Sequence, residues 1–442
     1  MVNKRQAILL ILICAISTKI QRLPSMVSLG VGRDAWLIVL TLGLIDTVLL
    51  IFALWFFNRH NSTHSAFDVV KNSLGDFMGR VVCFALFLYF GLKSILPSES
   101  IHDLFANVLF DTLDFKFFGL ILLGVVIFGC VKGLRTMGRQ CEIYAVLIGV
   151  GIAGVLFLGF TNCRFERVFP MFENSFKALS TEAIKVNVWF GDFMILIYLT
   201  GKVSLNRDQK LGWNLVLPYF VVVCLIVPLS YVLFTSLYGN LAALQGNAIS
   251  SLTQFSVLAL DIGRVGWFFV LFEQVSTVLA QSIFILMATD CFCKTFGIKS
   301  PVISIWVLAT GLFMLDNFVF NNAEIESFKF RETVYLTNLI IEAFLVVILI
   351  ISSLICKKKE KMTLKHAQKT SKTAKSPRNA EILTRKPQKS GKIETASALK
   401  LSKTQNNNAK NNVNYGGDNK LKNRKNALNR KAALATAEVQ DG

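Results

Sequence analysis

The stretch Val188-Trp189-Phe190-Gly191-Asp192-Phe193 is the most informative part of the sequence, because it places a glycine and a carboxylate inside an otherwise apolar run. A charged side chain at the centre of a membrane-spanning helix costs about 2.5–3.5 kcal/mol on insertion scales. Irregular backbone is tolerated at membrane depth only where protein buries it or where it lines a cavity. We therefore predict that the helix over 180–200 is interrupted near Asp192 at a polar site.

A second interruption of the same kind occurs near the N-terminus. The apolar run from Ala7 to Ile16 is followed by Ser17-Thr18-Lys19-Ile20-Gln21-Arg22-Leu23-Pro24, which brings cations and a proline into the span. Lys4 and Arg5 ahead of this run resemble the start of a secretory signal peptide, but no A-x-A cleavage pattern follows. We expect the segment to remain in the protein as the first span.

The two interruptions fall within a regular series of apolar segments. A helix needs about 20 mostly apolar residues to cross a bilayer, and ten segments qualify, namely 7–29, 35–57, 81–107, 116–132, 141–161, 180–200, 212–237, 265–293, 300–320 and 333–355. The first and the sixth are interrupted, so they match as the first members of two five-helix halves. Such a match indicates the substrate site of a transporter built from inverted repeats. The alternative is that both are helices kinked at helix–helix contacts.

The distribution of basic residues predicts the orientation. With the N-terminus in the cytoplasm, the short cytoplasmic connections carry thirteen Lys and Arg and the opposite connections carry nine. Cytoplasmic loops are enriched in these residues. Because the number of spans is even, we expect both termini to be cytoplasmic.

Composition separates the chain into two parts. Of its 442 residues, 53% are hydrophobic and 17% are charged, against about 25% charged in ordinary soluble domains. Residues 357–442 hold 22 Lys and Arg against six Asp and Glu, and no Phe or Trp. We predict a membrane domain over 1–356 and a disordered, basic cytoplasmic tail over 357–442, attracted to anionic lipid. Because the body is nearly neutral, nucleic-acid binding is excluded.

No motif points to an enzyme. The glycines of the stretch 149–154 lie in an apolar span, follow no strand and indicate close helix packing at Gly151 and Gly154. Cys291 and Cys293 lack the spacing and the nearby histidines of a zinc site, and we interpret all nine cysteines as small buried apolar residues. We expect no catalytic activity, cofactor or metal.

Ionisable residues inside the spans are the main functional candidates. They are Lys19, Arg22, Asp46, Lys93, Asp192, Glu273 and Glu342. Helical spacing places Glu273, Thr277 and Gln281 on one face of the eighth span, and Tyr335, Asn338 and Glu342 on one face of the tenth. The alternative for both faces is that polar side chains hold helices of the bundle together.

Lys4-Arg5-Gln6, the apolar run that follows them and Leu23-Pro24 resemble the start of the spore-germination permease family. Four further stretches resemble the same family. They are Gly32-Arg33-Asp34-Ala35-Trp36-Leu37, Phe169-Pro170-Met171-Phe172-Glu173-Asn174-Ser175-Phe176-Lys177, Phe190-Gly191-Asp192 and Thr295-Phe296-Gly297-Ile298-Lys299. The resemblance extends over about residues 4–355. Members of this family are the polytopic B subunits of nutrient germinant receptors and belong to the amino acid–polyamine–organocation superfamily.

The resemblance implies an all-α, LeuT-like 5+5 inverted repeat in which helices 1 and 6 are unwound around a small nutrient, such as an amino acid. It implies partner subunits, one with a soluble domain and one a lipoprotein, in the inner spore membrane. The residues we expect to bind the nutrient are Ser17, Thr18, Lys19, Phe190, Gly191, Asp192, Glu273 and Thr277. Lys19, Glu273 and Gln274 depart from the family pattern and leave the ligand open. The alternative function is a working proton-coupled amino-acid permease.

Lys19 and Asp192 are predicted to lie together, because the breaks of an inverted repeat face each other. An unpaired ion in a low dielectric is costly, and opposite charges within reach remove that cost. We expect an amino acid to displace the pair, with its carboxylate on Lys19 and its ammonium on Asp192. The alternative is that Lys19 reaches to an interface while Asp192 caps a helix. If the two pair, exchanging their charges restores more ligand response than either single change.

Overall fold

The computed structural model describes residues 2–60, 65–104, 115–161, 163–205, 211–254, 266–315, 333 and 335–356. Within these residues the chain is predominantly α-helical. The helices are α1 (Lys4–Lys19), α2 (Leu23–Val31), α3 (Ala35–His60), α4 (Ala66–Leu74), α5 (Asp76–Leu104), α6 (Phe115–Val131), α7 (Leu134–Thr161), α8 (Phe176–Val186), α9 (Phe193–Leu199), α10 (Trp213–Phe220), α11 (Val227–Tyr238), α12 (Ala248–Gln254), α13 (Gly266–Phe296), α14 (Pro301–Leu315) and α15 (Tyr335–Cys356).

Shorter elements connect these helices. In the described part of the chain, 3₁₀-helices cover Gly32–Asp34, Phe165–Val168, Asn187–Trp189 and Gly239–Leu244, and a π-helix over Val221–Ile226 joins α10 to α11. The strands β1 (Val2–Asn3) and β2 (Val203–Ser204) pair in parallel. This pairing ties the start of α1 to the segment that follows α9.

Among the described residues, six helical stretches are long and apolar enough to cross a membrane, which confirms a multi-pass, all-α membrane protein. They are Leu23–His60, Asp76–Ser98, Leu134–Thr161, Trp213–Leu244, Phe268–Phe296 and Tyr335–Cys356. Two shorter apolar helices, Gly119–Val131 and Pro301–Leu315, lie where the fourth and ninth spans were predicted. The ten-span topology, the inverted repeat and the orientation stay predictions. The predicted tail lies outside the described residues.

The first helix break lies slightly later than the sequence predicted. We expected it at Ser17–Lys19, but these residues form the last turn of α1, and the non-helical residues are 20–22. The Ser17 and Thr18 hydroxyls both donate to the Cys14 carbonyl, at 3.2 and 3.1 Å, and so remain within the helix. Pro24, in the first turn of α2, restarts the helix in a position where its missing N–H costs nothing.

The second break lies where it was predicted. The 3₁₀-turn Asn187–Trp189 ends at Phe190, and α9 begins at Phe193. Gly191 has φ +82°, in the left-handed region that glycine adopts without steric cost. The helical path is therefore interrupted between α8 and α9 at this glycine.

Tyrosine hydroxyls donate hydrogen bonds to backbone carbonyls at the two breaks, where the regular helical hydrogen bonds are interrupted. Tyr231 of α11 donates to the Lys19 carbonyl at 3.0 Å, and Tyr89 of α5 donates to the Gly191 carbonyl at 2.7 Å. The amide of Ala248 donates to the Gln21 carbonyl at 2.8 Å. Backbone groups buried away from water need such partners. These hydrogen bonds therefore stabilise both breaks within the fold.

Helix α13 packs against α1, α5 and α7. Gly151 and Gly154 of α7 face it, and a Cβ at Gly154 would collide with the Phe269 ring. A Cβ at Gly151 would lie 3.1 Å from the Phe269 carbonyl oxygen. This confirms the prediction that these glycines allow close helix packing.

Candidate functional site

A buried ion cluster joins the two helix breaks. Lys19, the last residue of α1, contacts Asp192 Oδ2 through its ammonium group. Lys93 of α5 binds the other carboxylate oxygen, Asp192 Oδ1, at 2.9 Å. Lys19 and Asp192 are fully buried and Lys93 is 1% exposed. The structure thus contains the predicted contact between Lys19 and Asp192, and Lys93 is a third member of the cluster.

A second aspartate extends the cluster toward α3. The Tyr219 hydroxyl donates to Asp46 Oδ2 at 2.5 Å and lies 3.5 Å from Asp192 Oδ2. Asp46 is 2% exposed, and its Oδ1 finds no hydrogen-bond partner among the described residues. The cluster thus holds two lysines and two aspartates, with the Tyr219 hydroxyl between the aspartates, and so balances formal charge where a lone ion would be costly.

Aromatic rings enclose the lysine ammonium groups. The Lys19 Nζ lies 5.1 Å from the centre of the Phe190 ring. The Lys93 Nζ lies 5.5 Å from the Tyr89 ring centre and 5.8 Å from that of Phe284. A cation within about 6 Å of an aromatic face is attracted to it. These rings therefore stabilise the ammonium groups of the buried ion cluster electrostatically.

Gly191 leaves room for groups from two other helices. A Cβ at this position would collide with the Tyr89 hydroxyl and would lie 2.9 Å from Glu342 Oε2. Glu342 of α15 accepts a hydrogen bond from Asn187 Nδ2 at 3.2 Å. A side chain at residue 191 would therefore displace the Tyr89 hydroxyl and the Glu342 carboxylate from the break.

Glu273 and Thr277 form a separate polar cluster on α13. Gln21 Nε2, in the first break, contacts Glu273 Oε2 and donates to Thr277 Oγ1 at 2.6 Å. Glu273 and Thr277 are fully buried. Gln281, the third residue of the predicted polar face, instead borders a small cavity beside Ser94 and Ser98. The α13 cluster therefore contacts the break of helix 1 and not Asp192.

The predicted site residues divide accordingly. The structure brings Lys19, Phe190, Gly191 and Asp192 together at the two breaks, while the hydroxyls of Ser17 and Thr18 are bound to their own helix. The sequence had marked Lys93 and Asp46 only as ionisable groups inside spans, without placing them at the site. It had not marked Tyr89, Tyr219 or Gln21, because buried tyrosines and glutamines are common in helix packing and carry no distinctive signal.

The polar face predicted on the tenth span also has visible contacts. Tyr335 packs edge-on against Trp189 with 5.1 Å between ring centres, and Glu342 accepts from Asn187. Both contacts join α15 to the residues just ahead of the second break. They agree with the alternative that this face holds helices together.

The residues that the structure describes contain no group of three His, Cys, Asp or Glu that could hold a metal ion. The cluster at the breaks consists instead of paired ammonium and carboxylate groups. Groups of this kind bind ligands that carry both charges, since each charge of the ligand then meets an opposite one.

A comparison with protein families finds a match. The family model described as "Spore germination protein" matches residues 1–324, which is most of the chain and includes both helix breaks. No curated protein matches the chain significantly.

Proposed function

The chain belongs to the spore germination protein family, and we propose that it is the membrane subunit of a nutrient-germinant receptor that binds a small nutrient at the two helix breaks. The observation that carries the proposal is the buried contact of Lys19 with Asp192, which links the end of α1 to the start of α9. A ligand that separates this pair changes the relation between two interrupted helices, and partner subunits then detect that change.

The charges of the site favour an amino acid. A zwitterion inserted between Lys19 and Asp192 places its carboxylate on the ammonium group and its own ammonium on the carboxylate. Every ion then keeps an opposite partner. A ligand with only one charge would leave an uncompensated ion in a buried site, which costs several kcal/mol. Lys93, which also binds Asp192, provides a second ammonium for the ligand carboxylate.

Binding of purified protein in nanodiscs to each of the common amino acids tests this proposal. We expect saturable binding of at least one of them and its loss in Lys19→Met. Lys202→Met is the matched control, because Lys202 also shares an aspartate, Asp290, with a second lysine, Lys294, but away from the breaks. Equal losses in both variants, or no binding by any amino acid, would overturn the proposal.

A proton-coupled amino-acid permease is the second candidate function. It is favoured by Glu273, a buried carboxylate on a helix that contacts the first break. Uptake of the bound amino acid into proteoliposomes distinguishes the two functions. Accumulation driven by a proton gradient supports the permease, and saturable binding without uptake supports the receptor.

The remaining parts of the proposal follow from the family. We propose that the protein lies in the inner spore membrane with both termini in the cytoplasm. Its partners would be a membrane subunit with a soluble domain and a lipoprotein subunit. The 22 basic residues of segment 357–442 would hold that segment near anionic lipid. A receptor or transporter, rather than an enzyme, fits these features.

A further inference from the structure

The carboxylate of Glu273 is buried among neutral groups. Its oxygens meet Gln21 Nε2, the Ser276 hydroxyl at 3.2 Å and Gln274 Nε2 at 3.4 Å. Among the described residues, none of its hydrogen-bond partners carries a positive charge. Burying a carboxylate without a cation is costly, and such groups take up a proton instead.

Charged groups on the surrounding helices are engaged elsewhere. Lys19 of α1 and Lys93 of α5 both bind Asp192. On α13 itself, Asp290 and Lys294 bind each other about 25 Å further along the helix. The face of α7 beside Glu273 presents Gly151, which has no side chain.

The other nearby elements add few charges. Arg22 follows Gln21 in the break, and the charged residues of α7 (Arg135, Arg139 and Glu142) lie two or more turns before Gly151. The described side chains of α6, α12 and α14 carry no charge. Glu273 therefore lacks the compensation that Asp192 receives.

A side cavity lies next to Glu273: Gln274 lines it, and Gln274 Nε2 lies 3.4 Å from Glu273 Oε2. The cavity has a volume of about 340 Å³ and is bordered by α5, α6, α7 and α13, with Gln140, Tyr144, Gln274 and Ser282 as its polar lining. The amide oxygens of Gln140 and Gln274 have no hydrogen-bond partner among the described residues, and Gln274 is 8% exposed. A space of this size with several polar groups holds water molecules readily.

We propose that Glu273 is a proton-binding site, loaded from this cavity, whose protonation changes the hydrogen bonding of Gln21 in the first helix break. A hydronium ion that moves from the cavity past Gln274 transfers its proton to a Glu273 carboxylate oxygen and leaves a water molecule. The neutral acid then donates its O–H to Gln21 Oε1, which has no partner among the described residues, once the amide group rotates by a half turn.

The proton is thereby communicated to the ligand site. Gln21 lies two residues after Lys19, and its backbone carbonyl accepts from Ala248. A change at Gln21 therefore acts on the segment that positions the Lys19 ammonium. This coupling to ligand affinity rests on the proposed function, whereas proton binding at Glu273 does not.

Infrared spectroscopy of the full-length protein in nanodiscs tests proton binding without any ligand. We expect a carbonyl band of a protonated carboxylic acid that shifts in D₂O, declines as pH rises and is absent from Glu273→Gln. Glu142→Gln is the matched control, because Glu142 is a half-buried carboxylate on α7 that accepts from Gln6. A band that persists in Glu273→Gln and disappears in Glu342→Gln would overturn the assignment. If Glu273→Gln does not fold, the wild-type band must shift when glutamate is carbon-13 labelled, and an unshifted band overturns the assignment.

Amino-acid binding at several pH values tests the coupling. For one proton, the dissociation constant changes by at most about tenfold per pH unit, and we expect this dependence to be lost in Glu273→Gln. An equal pH dependence in both proteins would overturn the coupling. A Glu273 band without binding of any amino acid would refute the proposed function and leave the proton site standing. Binding of an amino acid without a Glu273 band would refute the proton site and leave the proposed function standing.

Discussion

Lys19 and Asp192 are 173 residues apart in the sequence, yet their charged groups are in direct contact inside the protein. Each is at the edge of a helix break, so the contact joins the two irregular segments of the chain. Because both side chains are fully buried, neither charge is compensated by water. The stability of the ion cluster therefore depends on this contact and on the contact of Lys93 with Asp192.

Replacing Asp192 by asparagine removes the carboxylate that two lysines share. We expect Asp192→Asn to destabilise the protein by about 3–5 kcal/mol, because it leaves buried charges uncompensated. Asp290→Asn is the control, since Asp290 also binds two lysines but is 36% exposed; its loss should cost about 1 kcal/mol or less. Thermal unfolding in detergent measures both effects. Equal destabilisation would show that burial does not set the strength of the Asp192 contacts.

The contact of Lys93 with Asp192 changes the outcome that we expect when the charges of Lys19 and Asp192 are exchanged. The sequence alone predicted that the exchange restores ligand response. The exchange places a lysine at residue 192 next to Lys93, whose Nζ lies 2.9 Å from the present carboxylate. Two adjacent ammonium groups repel, so we expect the double variant to bind amino acid no better than either single variant. Adding Lys93→Met to the exchange should recover binding, and a double variant that binds as well as this triple variant would contradict the role of Lys93.

Gly191 is required both by its backbone conformation and by its neighbours. Gly191→Ala forces a left-handed φ of +82° on alanine and brings its Cβ against Tyr89 and Glu342. Gly297 has φ +70° but no atom near its Cβ position, so Gly297→Ala measures the backbone term alone, about 1–2 kcal/mol. We expect a clearly larger loss of thermal stability in Gly191→Ala. Equal losses would mean that Tyr89 and Glu342 move aside at little cost.

The sequence predicted both helix breaks because a polar residue in an apolar run has a definite physical cost. It placed the second break correctly from Gly191 and Asp192. It placed the first about three residues early, because hydroxyls such as those of Ser17 and Thr18 interrupt a helix or bond back to it, as they do here to Cys14. Local sequence does not decide between these two outcomes.

The remaining parts of the site depend on distant contacts. Lys93 was visible as a cation in a span, but its partner is 99 residues away. Helix packing decides which face of α5 is turned toward Asp192. A single sequence does not reveal that packing. The same holds for Gln21, whose meeting with Glu273 links residues 252 apart.

Two of the stretches that resembled the family contact each other, and this leads to a prediction for Asp34. Its carboxylate accepts from the amides of Phe172 at 2.7 Å and Asn174 at 3.0 Å, and it is 1% exposed. Phe172 has an unusual φ of +64°, which these hydrogen bonds help to hold.

Asp34→Ala should therefore destabilise the protein by about 2 kcal/mol or more, since hydrogen bonds to charged groups are worth about 1.5–3 kcal/mol each. It should also expose the segment 169–175 to limited proteolysis. Glu173→Ala is the matched control, because Glu173 is 49% exposed and lies 4.0 Å from Arg33. Faster proteolysis of the control than of Asp34→Ala would contradict the proposed role of Asp34.

The contact between α7 and α13 gives the last prediction. A Cβ at Gly151 would lie 2.9 Å from the Phe272 Cβ and 3.1 Å from the Phe269 carbonyl, so Gly151→Ala must push the helices apart. Overpacking of this kind costs about 1–3 kcal/mol. Gly149 is exposed on the same helix with open space around it, and Gly149→Ala should leave stability unchanged or raise it by about 0.5–1 kcal/mol. Because Glu273 is on the contacted part of α13, Gly151→Ala should also alter its infrared band, while Gly149→Ala should not. Equal thermal midpoints for the two variants would show that α13 does not depend on close packing at Gly151.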